Sequence, residues 1–467
     1  MLIDFLLAVF EKNNDKNAIV WKDKTYSYAW LLERINYWQN RIQSEKIEKG
    51  KVVVLEADFS PNSIALFLAL MEHSCILVPL TRSIESQQAE FIEIAQAEIY
   101  FSIDDNDHLK ITKLPNVAHH EFYTRLKTSS HAGLVLFSSG STGKSKAAVH
   151  DLVKLLEKFK IPRYNYITLT FLLYDHIGGL ETMFYTLSNG GCIVTAQTRS
   201  PDSILERVEK YKVELLPVSP TFINLILLSE SYKRYDFSSL KTVTYGTEPM
   251  PESTLARFHG LFPHIKLIQK YGLSELGILR SKSKSSNSLW VKVGGEGFQT
   301  RVVEGILQIK ASSAMLGYLN APTPFIEDGW FNTKDVVEID GEYLKILGRQ
   351  SEIINVGGEK VYPAEVESVI QSLDNVAEVT VYGEKNAITG NIVCAKVRLL
   401  KEEDKKQLTK RLKHYCREHL QNYKVPVKVK IVEEKQYSER FKKIRQNNQR
   451  DHPETPISNG MSFRASL

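Results

Sequence analysis

The chain has 467 residues, enough to bury a large core and to form more than one domain. Its apolar share of 43% and charged share of 25% are those of an ordinary soluble globular protein, and the net charge is only +5. The four cysteines (Cys75, Cys192, Cys394, Cys416) are scattered with no C-x-x-C spacing, which argues against a metal or disulfide framework and fits a reducing cytoplasm.

The first residues, Met1 to Leu7, are apolar but few, and Asp4 stands where a leader would be basic. They predict an amphipathic helix, not a signal peptide. Strand-like runs then alternate with helical patterns: 51–55 reads as strand, 63–71 as helix and 75–80 as strand. Glu72 and His73 interrupt the apolar stretch 63–80, which predicts a core helix running into a strand instead of a membrane span. Runs at 133–137, 191–195 and 213–217 continue the series. The alternation predicts an α/β fold of layered, largely parallel sheets.

From about 291 to 335 and just beyond, short strands such as 305–309 and 343–347 predict a small β subdomain. A boundary is expected near 348–351. It divides a large N-terminal domain, 1–348, from a small α+β domain, 349–450. In the latter a helix begins at 361–367 with Pro363 in its first turn, strands follow at 377–382 and 392–397, and a helix covers about 403–420. The tail, 451–467, is polar with Pro453, Pro456 and Gly460, and is expected to be disordered.

Between the run 133–137 and Ala147 lies Ser138-Ser139-Gly140-Ser141-Thr142-Gly143-Lys144-Ser145-Lys146. Glycines let backbone N–H groups approach an anion, while hydroxyls and lysines add donors and charge, as a phosphate cradle requires. A Walker loop, G-x-x-x-x-G-K-[ST], needs glycine at position 138, which is Ser138. That spacing fails, and with it the reading as a P-loop kinase or ATPase. A Gly/Ser-rich run can also be a plain flexible loop.

Further segments follow in order. The cradle resembles the [ST]-[ST]-G-[ST]-[ST]-G-x-P-K loop of the adenylate-forming superfamily, with Ser145 for its Pro and Lys146 at its lysine. That superfamily contains acyl-CoA synthetases, luciferases and nonribosomal adenylation domains. Tyr271-Gly272-Leu273-Ser274-Glu275 is similar to Y-G-x-[ST]-E. Trp330-Phe331-Asn332-Thr333-Lys334-Asp335 is similar to W-F-x-T-G-D. Gly348-Arg349-Gln350-Ser351-Glu352-Ile353-Ile354-Asn355-Val356-Gly357-Gly358, then Pro363-Ala364-Glu365-Val366-Glu367, resembles G-R-x-D-D-x-I-x-x-x-G followed by P-x-E-[IV]-E. On these ordered segments the chain is identified as a member of the adenylate-forming superfamily.

The resemblance implies attack of a carboxylate on the α-phosphorus of ATP, giving an acyl-adenylate and pyrophosphate, then transfer to a thiol. Both reactants of the first step are anions, so the site must supply positive charge and hold them in line. Ser138 to Lys146 would wrap the phosphates, Lys144 included. Glu275, with the Thr142 hydroxyl, would hold Mg²⁺. Tyr271, followed by Gly272 and Ser274, would offer adenine an aromatic face, and Gly246-Thr247-Glu248 the opposing backbone edge. Asp335, with Arg349 nearby, would bind the ribose. Without the resemblance, Glu275 reads as surface decoration and Asp335 as a turn residue.

A cation must bridge the carboxylate and the α-phosphate. The family's T-x-x-G-K-I-x-R-like segment matches Ser438-Glu439-Arg440-Phe441-Lys442-Lys443-Ile444-Arg445, with Phe441 at the glycine. Counting from Ser438 picks Lys442, and counting back from Ile444 picks Lys443. Two surface lysines in a basic tail are the plain alternative. The small domain would rotate about Ser351, bringing Gly357 and Gly358 to a channel for a pantetheine thiol.

Asp175-His176-Ile177-Gly178-Gly179-Leu180 fits the family's H-x-x-G segment, so His176 would contact the acid, or else simply pack at a strand end. Gly179, Phe222, Tyr245, Gly272 and Leu276 are pocket-wall candidates and favour an apolar or aromatic acid. Asp175 keeps open an amino acid, since amino-acid-activating relatives hold the substrate amine with an Asp near here. The acceptor is expected to be coenzyme A, or the phosphopantetheine of an acyl carrier protein on a separate chain. Basic residues between about 401 and 450 suit either acceptor, or merely solvate helix faces. No nucleic-acid motif accompanies them. A non-catalytic nucleotide-binding relative remains the third class, motivated by Lys334 and Phe441.

Overall fold

A computed structural model describes residues 2–139 and 145–445. The expected disordered tail, 451–467, lies outside the described residues.

Among the described residues, two seven-stranded sheets face each other across a layer of helices. In one, the strands Ile76–Leu80 and Val52–Glu56 pair in parallel and are buried along their whole length. A continuous apolar run is what a strand covered on both faces requires. Helix Pro61–Glu72 connects them. Its start is fixed by a reciprocal cap between Ser60 and Ser63 and by Pro61 in the first turn. It is apolar nearly all round because it lies between the sheets, as the sequence predicted.

The other sheet runs in the order Lys266–Gln269, Thr242–Tyr245, Leu215–Val218, Ile167–Thr170, Cys192–Thr195, Asn17–Trp21, Lys24–Ser27. Its pairings are parallel except the last. Helices Asp4–Lys12, Tyr28–Ser44 and Ile177–Ser188 join the middle layer. Helices Pro201–Tyr211, Pro220–Ser229 and Glu252–Leu261 cover the outer face. The layered α/β architecture expected from the alternation is present.

A six-stranded antiparallel sheet, Arg280–Ser283 through Tyr343–Arg349, forms the small β unit with its own core around Leu307, Ile309 and Phe331. Beyond Arg349 a separate apolar cluster forms that includes Ile354, Val379, Val397 and Leu412. It is built from helices Pro363–Gln371 and Lys405–His419 against strands Val376–Asn386, Gly390–Leu399 and Lys428–Ile431. This unit touches the large one through Ser253–Ser368 (3.0 Å) and Asn224–Ala377 (3.2 Å). No helix among the described residues is long and apolar enough to cross a membrane.

Candidate active site

The strands Gly133–Ser139 and Ser145–Asp151 are antiparallel neighbours, with Ser138 opposite Lys146 and Ser139 opposite Ser145. They bracket the cradle, whose Gly140, Ser141, Thr142, Gly143 and Lys144 lie outside the described residues. Asn320 braces the second strand, donating to the Ser145 carbonyl (2.8 Å) and accepting from the Ala147 N–H (3.0 Å). The Lys146 ammonium stands 5.3 Å from the Tyr318 ring centre, and the Tyr318 hydroxyl donates to Glu275 Oε1 (2.5 Å). Tyr318 thus joins the lysine of the cradle to the expected metal carboxylate, and no motif pointed to it.

Glu275 keeps its second oxygen without a hydrogen-bond partner among the described residues. One free carboxylate oxygen suits Mg²⁺, which is held by one or two carboxylates together with substrate phosphates. The preceding Ser274 supplies its carbonyl to Nε2 of buried His150 (2.6 Å).

Asp335 and Arg349 are cross-strand partners, with Arg349 Nε 3.3 Å from Asp335 Oδ1. The Tyr271 hydroxyl donates to Asp335 Oδ2 (2.6 Å). Burial raises the Asp335 carboxyl against the pull of Arg349. Tyr271 differs from an open aromatic platform: its ring packs into the small-sheet core, 7% exposed, and its hydroxyl is committed to Asp335. Gly246 is required beside it, because a Cβ there would come within 2.6 Å of the Lys270 carbonyl. Gly272 is equally confined, 2.8 Å from Ile278 Cα. Thr247 holds φ +75°, a left-handed backbone that leaves the 246–248 edge tightly turned. Glu248 accepts from the Thr221 N–H (2.8 Å) and from the Lys443 N–H (2.9 Å), so its carboxylate joins the two units.

The structure separates the two lysines. Lys443 Nζ pairs with Glu367 (3.0 Å), which also binds Arg445 (2.8 Å). Burial would raise the Glu367 carboxyl, but these cations override it and hold it at about 2. The Lys442 side chain turns into the cleft, and its ammonium has no hydrogen-bond partner among the described residues. Burial and the neighbouring Arg440 push its amine down to about 8, partly offset by Glu248 and Glu275.

His176 caps helix Ile177–Ser188, its Nδ1 accepting from the Gly178 N–H (3.0 Å). The ring proton therefore sits on Nε2. Burial, with Lys442 and Arg440, keeps the imidazole neutral by lowering its pKa well below the usual value. It lines a narrow cavity with Phe171, Thr247, Arg440, Phe441 and Lys442. A larger cavity of about 430 Å³ lies elsewhere, around Asn17, Asn165 and Cys192, and contains none of the expected site residues.

At Gly179 a Cβ would collide with the Leu173 carbonyl at 2.1 Å, so the glycine serves helix–loop packing. Gly357 and Gly358 form an exposed hairpin turn, φ +59° and +92°, with nothing among the described residues within 4 Å of a Cβ at either, away from the cleft in this arrangement; the thiol channel is expected of them only in the rotated one. Asp175 is not a free anion, because Arg440 Nη2 lies 2.8 Å from its Oδ2.

A layered α/β domain facing a small α+β domain that inserts a lysine into their common cleft is the architecture of adenylate-forming enzymes. Residues 7–304 match the AMP-binding enzyme family and residues 365–442 its C-terminal domain. The chain belongs to the AMP-binding enzyme family.

It is 30% identical over 261 residues to a long-chain-fatty-acid–CoA ligase of Haemophilus influenzae, a match covering 52% of this chain and 46% of that enzyme. An indoleacetate–CoA ligase of Aromatoleum aromaticum is 28% identical, covering 56% of each. The chain spans about half the length of these two relatives. A 2-succinylbenzoate–CoA ligase of Bacillus pumilus is 24% identical, covering 90% of this chain and 92% of the relative. The o-succinylbenzoate CoA synthetase of Bacillus subtilis, solved with its acyl-adenylate, shares the fold at TM-score 0.76 and 20% identity, covering 96% of this chain and 98% of that one.

Proposed function

We propose that this chain joins a carboxylic acid to a thiol in two steps at the expense of ATP, with coenzyme A as the acceptor. The observation that carries the reading is the Lys442 ammonium, without a hydrogen-bond partner among the described residues and delivered into a cleft that also contains Glu275 and the Asp335–Arg349 pair. Two anions must meet there, and Lys442 is the cation positioned to neutralise both.

In the first step an acid oxygen bonds to the α-phosphorus and the bond to the bridging oxygen breaks, releasing pyrophosphate. Lys442 bridges the carboxylate and the α-phosphate. Lys146 and the cradle hold the outer phosphates. Asp335 accepts from the ribose hydroxyls, and adenine lies between the edge of Tyr271 and the 246–248 backbone. Mg²⁺, held by Glu275 and Thr142, would screen the phosphates and improve pyrophosphate as a leaving group. In the second step the thiol sulfur bonds to the acyl carbon, AMP leaves, and the thiol proton passes to solvent. The unit 349–450 turns about Ser351 between the steps.

The acid is apolar or aromatic. Phe171 lines the cavity beside Lys442, backed by the buried Phe222 ring 4.2 Å away, and the engagement of Asp175 by Arg440 disfavours an ammonium-bearing substrate. Incubation with ATP, coenzyme A and an acid panel is expected to release AMP and pyrophosphate and to form an acyl thioester. Release of ADP and phosphate instead would refute the reading.

A further inference from the structure

The segment around Lys442 is held on the large domain by contacts that the lysine itself does not make. On one side, Arg440 pairs with Asp175 at 2.8 Å. Asp175 is 3% exposed, and the same oxygen lies 3.2 Å from the Thr81 hydroxyl. Its other oxygen has no hydrogen-bond partner among the described residues. A carboxylate so buried is tolerable only when paired. On the other side, the Lys443 N–H is bound by Glu248 (2.9 Å).

Between these anchors, Phe441 adopts φ +52°, a left-handed conformation that favours glycine and penalises a bulky side chain. Its N–H donates to the Ser438 carbonyl (2.8 Å) and the Ser438 N–H to the Lys442 carbonyl (2.9 Å), closing a tight hairpin. The strained backbone persists because something outside the turn fixes it. The ring lies 5.1 Å from Phe171 and 5.4 Å from Phe222 of the large domain, and stacks on Tyr437 at 5.6 Å.

We infer that Asp175, Arg440 and Phe441 are positioning residues for the Lys442 ammonium, a charge clamp and an aromatic plug that seat the lysine segment in the cleft for acid activation. The inference rests on the proposed role of Lys442. The clamp fixes the segment end to end, and the plug fixes its depth. The lysine ammonium, with no hydrogen bond among the described residues, takes its place from both. The charged groups acting on it are Arg440, Glu248, Arg349 and Glu275, with neutral His176 beside it.

Two readouts on the full chain test this. Competitive amine labelling followed by mass spectrometry gives the titration midpoint of Lys442 without any substrate. In the unaltered protein it is expected near 8. Phe441→Gly and Asp175→Asn remove no cation, so they raise the midpoint toward the ordinary lysine value only if the segment leaves its seat. ATP–pyrophosphate exchange is expected to lose at least tenfold in kcat in both variants, with KM for ATP within threefold. Arg440→Lys should keep most of the activity. Pairing Asp175→Asn with Arg440→Ala should do no more harm than either alone. An unchanged Lys442 midpoint together with unchanged exchange in Phe441→Gly and Asp175→Asn would overturn the inference. Absence of exchange in the unaltered protein, with labelling that still responds to the variants, would refute the proposed function and leave the clamp standing.

Discussion

Lys443 Nζ lies 3.0 Å from Glu367, facing away from the cleft that Lys442 enters. Two adjacent lysines thus stand apart: one fastens the segment to its own domain, and the other is the one proposed to offer its charge to the reactants.

Replacing Lys443 by Ala is expected to leave Arg445 as the cation on buried Glu367 and to cost about 1.5–3 kcal/mol of stability, the range for a hydrogen bond to a charged group. Urea unfolding measures this. The exchange rate per folded molecule should fall far less than in Lys442→Ala.

The pH dependence of exchange should report Lys442. Its cation is lost as pH rises through about 8, so kcat/KM is expected to fall above that value, tenfold per pH unit. Bound triphosphate favours the charged amine, so the break in kcat should lie higher. In the free protein the depressed value means that the unfolded chain binds more protons between about 8 and 10.5, so this group's contribution to stability rises with pH across that window.

Glu367 acts in the opposite range. Its carboxyl falls from 4.5 in the unfolded chain to about 2 in the fold, a shift worth about 3 kcal/mol. That contribution is present above pH 4.5 and is lost as pH falls through 2. Unfolding of Glu367→Gln against the unaltered protein at pH 7 should show a deficit of about 3–5 kcal/mol, because Lys443 loses its anion and Arg445 keeps only Glu352 at 3.3 Å. The deficit should shrink as both are taken toward pH 2.

Asp335→Ala is expected to raise KM for ATP about tenfold, consistent with a lost charge-assisted hydrogen bond to ribose. Gly246→Ala should weaken ATP binding as well, because the added methyl meets the Lys270 carbonyl and forces the nucleotide edge aside. Steady-state kinetics with varied ATP tests both.

Much of this was legible in the sequence. The runs at 51–55 and 75–80 differ from the observed strands by a residue at most, because a doubly covered strand must be continuously apolar. Asp335 and Arg349 came from separate motifs and proved to be cross-strand partners. The clamp was not legible. Asp175 and Arg440 are 265 residues apart, and neither residue type announces a partner at such a distance. The choice between Lys442 and Lys443 stayed open for a related reason. Adjacent residues of an extended segment point to opposite sides, so a one-residue ambiguity in register exchanges the cleft for the domain core. Counting along a motif cannot resolve that; the Lys443–Glu367 ion pair, with Lys442 lining the cavity, does.

The most direct test of the central claim is ATP–pyrophosphate exchange across aromatic, short-chain, long-chain and amino acids, with Lys442→Ala in parallel. The account predicts exchange that depends on an apolar or aromatic acid and falls at least a hundredfold in the variant. ATP binding without exchange for any acid, or exchange that survives the loss of Lys442, would contradict it.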